Sequence, residues 1–171
     1  LSNPDEDGSE AIQYIENGTL LIENGHVVAC GPADTIQVSD DFERHDLGAK
    51  LIVPGFVDTH IHYPQVDVIA SYGTQLLDWL ERYVFPEESN YSDSDVGQAT
   101  ASFFLDELLK NGTTTALVFG TVHPESVDAF FTQAAARSLR MICGKVMMDR
   151  KHTRMFLVYP NYLKVCRELN W

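Results

Sequence analysis

The sequence predicts an α/β protein in which a small antiparallel β element precedes βαβ units that form a parallel sheet. Before position 50, short β-branched runs alternate with Asn-Gly pairs, which are the strongest short-range signal for β-hairpins. After position 50, continuous apolar runs alternate with segments of helical periodicity. Strands that alternate with helices at this spacing indicate βαβ units and a parallel sheet.

The first fifty residues predict short strands separated by turns, and we assign them to an N-terminal domain covering residues 1–49. Asn17-Gly18 and Asn24-Gly25 mark the turns, because Asn and Gly adopt the positive φ angles that tight hairpins require. The predicted strands are Ile12–Ile15, Thr19–Glu23 and His26–Cys30. We expect one face of this element to be exposed to solvent.

Residues 50–149 predict the first βα units of a second domain. The run Leu51–Val57 is continuously apolar, as in a strand buried on both faces. Apolar residues at helical spacing predict the first long helix, which Asn111-Gly112 ends, and Pro124 opens the second. The predicted elements after Val57 are a helix from about Asp95 to Asn111, the strand Thr113–Phe119, a helix from Pro124 to about Ser138 and the strand Arg140–Val146.

Composition limits the possible functions. The 171 residues are 44% hydrophobic and 22% charged, which is ordinary for a globular protein. Twelve Lys and Arg residues against 25 Asp and Glu give a net charge of −13, which disfavours binding to nucleic acid or to anionic membranes. No apolar run approaches the roughly 18 residues of a membrane span, and the first residues lack signal-peptide features. We therefore expect a cytoplasmic protein, whose three widely spaced cysteines are reduced, buried thiols.

The charge balance reverses at Arg150. Residues 150–171 carry a net charge of +4, whereas the preceding residues carry −17. We predict a divergent basic tail over 150–171, which is either a basic surface helix or the point where the chain departs from the protein that precedes it.

The segment Val53–His62, with the sequence VPGFVDTHIH, carries the chemistry. Because strand side chains alternate, Asp58, His60 and His62 are expected to project toward one face. Two neutral imidazoles suit zinc and neighbouring divalent cations, and an adjacent carboxylate can orient a ligand histidine. An isolated HxH pair also fits ordinary, partly buried histidines, but its place on the strand that opens the βαβ series favours a metal site.

This segment resembles the first barrel strand of the amidohydrolase superfamily, and the N-terminal strands resemble the small β-sandwich of that superfamily. Within the superfamily the similarity is to the guanine deaminases and covers about residues 12–150. The other matching stretches are His60–Gln65, Tyr72–Leu80, Phe85–Glu87, Asn111–Ala116, Val118–Pro124 and Gly144–Arg150. The resemblance implies a (β/α)8 barrel preceded by strands of a small β-sandwich.

The resemblance also implies a function and a set of site residues. The implied reaction is the zinc-dependent hydrolytic deamination of guanine to xanthine and ammonia in purine catabolism, by an enzyme that is a homodimer when intact. His60 and His62 would be zinc ligands. His62, Tyr63, Pro64 and Gln65 would approach the purine, with the Gln65 amide hydrogen-bonded to the base.

Other residues have less specific interpretations. Trp79 could stack on the base, but its apolar neighbours favour packing on a helix. His123 is expected at a helix N-cap position before Pro124, and it is the one further histidine that could complete a third zinc ligand. The acidic residues of the remaining segments are interpreted as solvated faces; they are Asp78, Glu81, Glu87, Glu88, Asp106 and Glu107.

The chain is short for this architecture. A complete barrel takes about 250 residues, whereas about 120 follow Lys50 and predict three strands. A catalytic zinc usually has three or more protein ligands, and neither the further ligands nor a general acid or base has a matching position. We therefore predict an incomplete barrel that is inactive alone. The alternatives are another amidohydrolase acting on a triazine, cytosine or adenosine-like substrate, and a truncated product without catalytic function.

Overall fold

The computed structural model describes residues 12–73 and 75–148, together with the backbone of residues 163–165. The chain divides into two units between Leu51 and Ile52. Apart from those three backbone positions, the predicted basic tail lies outside the described residues, and so does Cys166.

The first unit contains one antiparallel hairpin, formed by β1 (Gly18–Glu23) and β2 (His26–Pro32). Asn24 and Gly25 in the turn have φ angles of 50° and 79°, as the predicted Asn-Gly turn requires. Residues 12–15 do not form the predicted first strand, because they pair with no strand in the described part of this unit. The hairpin confirms the antiparallel element, while the sandwich stays a prediction.

The second unit begins with β3 (Phe56–His62), which passes directly into the 3-10 helix Tyr63–Val68. A series of short helical turns follows, and α3 is the first long helix. These turns are α1 (Leu76–Trp79), a π-helical turn (Leu80–Val84), α2 (Phe85–Glu88) and a 3-10 helix (Ser89–Ser92), and then comes α3 (Ser94–Lys110).

A four-stranded sheet organises this unit. Its order is β3, β4 (Thr113–Phe119), β5 (Arg140–Gly144) and β6 (Leu163–Val165). The first three strands are parallel, and β6 pairs antiparallel with β5. Helix α3 connects β3 to β4, and α4 (Pro124–Ala136) connects β4 to β5, which confirms the predicted βαβ units.

The first strand of the sheet differs from its prediction. It begins at Phe56 rather than Leu51, where the Phe56 N–H donates to the Gly112 carbonyl at 2.8 Å and starts the pairing with β4. Pro54, two residues earlier, has no N–H to donate to a sheet ladder. Phe56 and Val57 are 60% and 65% exposed, so the prediction of a strand buried on both faces is wrong for this chain. Among the described strands only β4 pairs with β3.

The core of the second unit lies where α3 and α4 pack against each other and against the sheet. Its fully buried side chains include Leu105, Phe130 and Met141. The two helices approach closely at Gly97, where an added Cβ would lie 3.0 Å from the Cβ of Ala129. The close approach favours glycine at this point of α3, because a side chain there would need Ala129 to shift by a few tenths of an ångström.

None of the helices in the described residues combines the length and the apolar character that a membrane crossing needs.

The two cysteines in the described residues differ in burial. Cys143 is a free, buried thiol whose pKa is raised to about 12 by burial. Cys30 is free but exposed, so the prediction of buried thiols holds for Cys143 and is wrong for Cys30.

Candidate metal and substrate site

The two histidines at the end of β3 lie side by side. Their Nε2 atoms are 3.2 Å apart and their ring centroids 5.3 Å apart, so both rings project toward the same face, as the strand alternation predicts. His60 is exposed and His62 is half-buried, which leaves the pair open to solvent on one side.

Phe119 supports both imidazole rings. It ends β4, and the parallel register places it beside His62. The His62 ring stacks on it at 4.5 Å with an interplanar angle of 11°, and the His60 ring lies 4.9 Å away. The one signal for Phe119 in the sequence is its position as the last residue of a predicted strand that follows the histidine strand.

The geometry of this histidine pair fits a shared metal ion. Two nitrogens bound at about 2.0–2.1 Å to one tetrahedral ion lie about 3.3–3.4 Å apart, close to the observed 3.2 Å. Burial is the main cause of the lowered pKa of His62, and the nearby His60 lowers it further. The lowered pKa favours the neutral form of His62, which is the form that ligates metals. Within the described residues, no group of three or more His, Cys, Asp or Glu side chains is placed to hold a metal. The described part of the site therefore offers two ligands, and His123 does not add a third.

Asp58 organises the backbone of this strand. Its Oδ1 accepts a hydrogen bond from the His60 backbone N–H at 2.9 Å. The β3–β4 register shifts between Asp58 and Ile61, so this side chain spans the irregular part of the strand. The carboxylate thus holds the backbone of His60, whereas the sequence suggested that it orients an imidazole.

Gln65 and Glu88 extend the site inward. Gln65 Nε2 lies 3.2 Å from His62 Nδ1 and 3.3 Å from Glu88 Oε1. Glu88 is only 5% exposed, so its interpretation as part of a solvated face is wrong. Burial raises the pKa of Glu88, and the hydrogen bond from Gln65 partly opposes that shift.

A sequence signal for the burial of Glu88 did exist. Val84 lies four residues before it and Tyr91 three residues after it, and both are buried. Side chains at this spacing share one face of a helix. The helical turns therefore direct Glu88 toward the 3-10 helix that carries Gln65, and charge alone was a poor guide to its exposure.

Tyr63 and Pro64, which were predicted to approach the purine, lie in the core and are fully buried. The Tyr63 hydroxyl donates to the Ser126 carbonyl at 2.6 Å, and its ring packs 5.1 Å from that of Phe130. Burial raises the pKa of Tyr63. Of the four residues predicted to approach the substrate, His62 belongs to the histidine pair and Gln65 places its amide beside it.

Trp79 lies in a different part of this unit. Its Nε1 donates to Ser71 Oγ at 2.7 Å, and the side chain is half-buried. It lines an open cavity of about 400 Å³ together with Tyr72, Tyr83 and Arg82. The packing of Trp79 on a helix and its stacking on a base both stay predictions.

His123 occupies the N-cap position of α4, as the sequence predicts. Its side chain makes no capping hydrogen bond, and within the described residues its buried Nε2 has no hydrogen-bond partner. Burial is the main cause of its lowered pKa.

The parallel βαβ sheet and the histidine pair at the end of its first strand define the class of this protein. Residues 51–171 match the amidohydrolase family, and the chain belongs to that family. It is 52% identical over 152 residues to the guanine deaminase of Escherichia coli (strain K12), covering 88% of this chain and 34% of that protein.

Comparison with solved structures also finds similarity to guanine deaminases. The structure of E. coli guanine deaminase superposes with a TM-score of 0.82 at 50% sequence identity, covering 92% of this chain and 37% of that one. Guanine deaminase from C. acetobutylicum, solved with guanine bound in the active site, gives a TM-score of 0.71 at 26% identity and covers 82% and 34%. The chain thus spans about a third of the length of these relatives.

Proposed function

We propose that this chain supplies the first part of the active site of a zinc-dependent guanine deaminase. The observation that carries the proposal is the pair of Nε2 atoms 3.2 Å apart on His60 and His62. The similarity to guanine deaminases supports guanine as the substrate. The proposed reaction replaces the exocyclic amino group of guanine by oxygen from water and releases ammonia.

The roles of the residues follow from their chemistry. When bound, zinc would supply a Lewis acid that lowers the pKa of a water for attack on the carbon bearing the amino group. His60 and His62 would hold it through their Nε2 atoms, and Phe119 would keep the two rings in place by stacking. Both contacts of the Gln65 amide with His62 and Glu88 are made by its nitrogen, so its oxygen offers an acceptor that suits an N–H group on the edge of a purine base.

The remaining ligands and the group that protonates the departing nitrogen would come from outside the described residues. Two ligands fall short of the three or more that a catalytic zinc usually has. A missing acid or base typically lowers a rate by 10²–10⁴-fold. We therefore propose that the 171-residue chain alone binds zinc weakly and does not deaminate guanine, and that a closed barrel is needed for activity.

Two proteins test this proposal. The first is the purified 171-residue chain with added zinc, followed by the loss of guanine absorbance in the ultraviolet; turnover comparable to an intact deaminase would contradict its proposed inactivity. The second is a chimaera in which residues 12–148 replace the matching segment of E. coli guanine deaminase. We expect the chimaera to deaminate guanine and to retain zinc. A folded chimaera without bound zinc would contradict the assignment of the histidine pair.

The cytoplasmic location and the homodimer are proposed on resemblance alone. Sedimentation of the chimaera and of E. coli guanine deaminase side by side would test the second point. A monomeric chimaera beside a dimeric relative would count against it.

A further inference from the structure

Four side chains form a continuous row from the surface of the protein into its interior. His60 Nε2 lies 3.2 Å from His62 Nε2, and His62 Nδ1 lies 3.2 Å from Gln65 Nε2. The same Gln65 atom lies 3.3 Å from Glu88 Oε1. The row begins at the exposed His60 and ends at the buried Glu88.

The chemistry of the last member gives the row a direction. An ionised carboxylate only accepts hydrogen bonds, so the atom of Gln65 that faces Glu88 must be the amide nitrogen. That nitrogen also faces His62 Nδ1, which must then accept and leave the ring proton on Nε2. The His62 Nε2–H can in turn donate to His60 Nε2. Each contact in the row then has one donor and one acceptor.

Metal binding needs the opposite arrangement at His62. A metal takes the lone pair of Nε2, so the ring proton must lie on Nδ1 and face an acceptor. Gln65 becomes that acceptor only when its amide oxygen takes the place of its nitrogen. The side chain at position 88 then faces the oxygen of the Gln65 amide. A neutral donor at position 88 can donate a hydrogen bond to this oxygen, whereas an ionised carboxylate cannot.

On the basis of the proposed metal site, we propose that Glu88 is a positioning residue that selects the tautomer of His62 through the Gln65 amide and thereby sets the zinc affinity of the histidine pair. Glu88 touches neither histidine in the contacts that form the row. It acts by fixing which end of the amide faces His62. The Glu88 carboxylate disfavours the metal-binding tautomer, and a neutral amide of the same shape permits it.

Glu88→Gln is the decisive variant, because it keeps the shape of the side chain and adds an amide that can donate to the Gln65 oxygen. The tautomer of His62 is measured in the metal-free 171-residue chain by long-range ¹H–¹⁵N correlation at about pH 8, well above the ordinary pKa of a glutamate, because burial raises the pKa of Glu88. We expect the proton on Nε2 in the unsubstituted chain and a larger share of the Nδ1–H tautomer in Glu88→Gln, because an amide at position 88 can face Gln65 with its nitrogen as well as with its oxygen. Zinc affinity, measured by competition with a chelating dye, should rise about threefold to tenfold, as one reoriented hydrogen bond allows.

Two controls separate this role from a general effect on folding. Glu87→Gln removes the same charge one position away, where the carboxylate accepts from Asn90, and should leave the His62 tautomer unchanged. In a Gln65→Ala background, Glu88→Gln should no longer move the His62 nitrogen shifts. Circular dichroism shows whether each variant is folded, and the tautomer of the unsubstituted chain tests the proposal even if a variant is not.

The outcomes are distinct. An Nδ1–H tautomer in the unsubstituted chain, or identical His62 nitrogen shifts in the unsubstituted chain and Glu88→Gln, overturns the role of Glu88 whether or not zinc binds. A switched tautomer in a protein that binds no zinc supports the role of Glu88 and counts against the proposed metal site instead.

Discussion

The hydroxyl of Tyr63 donates a hydrogen bond of 2.6 Å to the backbone carbonyl of Ser126. Tyr63 directly follows His62, and Ser126 lies in the first turn of α4. This bond therefore joins the end of the histidine strand to the helix that connects β4 to β5. The position of the candidate metal site depends on a contact in the buried core as well as on its own strand.

Replacing Tyr63 by Phe should destabilise the protein without removing a side chain from the core. The loss of one buried hydrogen bond lowers the free energy of unfolding by about 1 kcal/mol. Urea unfolding followed by circular dichroism measures this. Tyr14→Phe is the matched control, because Tyr14 is exposed and should tolerate the change. Equal stability of the two variants would mean that the Tyr63 bond contributes nothing.

Changing both His60 and His62 to Ala should lower the zinc content, because the site then loses two of its proposed ligands. Zinc is measured by metal analysis of the chimaera after dialysis. His26→Ala with His45→Ala is the control, since both of these histidines lie in the first unit and are exposed. Unchanged zinc content in the His60 and His62 variant would remove the proposed metal site.

Gln65→Ala in the chimaera should lower kcat/KM for guanine by about 5- to 150-fold, corresponding to about 1–3 kcal/mol for a lost hydrogen bond to a buried polar group. Zinc content should remain, because Gln65 is not a ligand. If zinc is lost in proportion to activity, Gln65 holds the site together and does not contact the base.

The buried Glu88 should make stability depend on pH. Its pKa is raised in the folded protein, so the folded state holds the proton more tightly than the unfolded state. Its contribution to stability is therefore greatest below its ordinary value of 4.5 and falls as the pH rises through the folded pKa. The Glu88→Gln side chain does not titrate. The free energy of unfolding of this variant should therefore rise relative to that of the unsubstituted protein as the pH rises through the folded pKa of Glu88, and the difference should then become constant. A stability difference between the two proteins that stays constant at every pH would contradict the raised pKa of Glu88.

Much of the second unit was predictable from local pattern. The strand Thr113–Phe119 has its predicted bounds, and α3 begins within one residue of its prediction. Both follow from a clear turn signal at Asn111-Gly112 and from apolar residues at helical spacing. The shared face of His60 and His62 was predictable for the same reason, since strand alternation is a local property.

The parts that failed depend on contacts that are distant in sequence. The strand at Phe56 begins where Gly112 offers a carbonyl, and nothing near Leu51 indicates this. The resemblance implies that Tyr63 approaches the substrate, and its burial against α3 and α4 could not be read from the sequence; its contact with the substrate stays a prediction. Glu88 was assigned to the surface because of its charge, whereas the helical turns that carry it face Gln65.

The close approach of α3 and α4 at Gly97 constrains how this protein can evolve. An added Cβ at position 97 would meet Ala129 at 3.0 Å and would lie 3.7 Å from the Tyr63 hydroxyl. A side chain at position 97 would therefore need Ala129 to shift by a few tenths of an ångström, while it would make only ordinary contact with Tyr63. Positions 97 and 129 are therefore expected to change together among related sequences, with a larger residue at one favouring a smaller residue at the other.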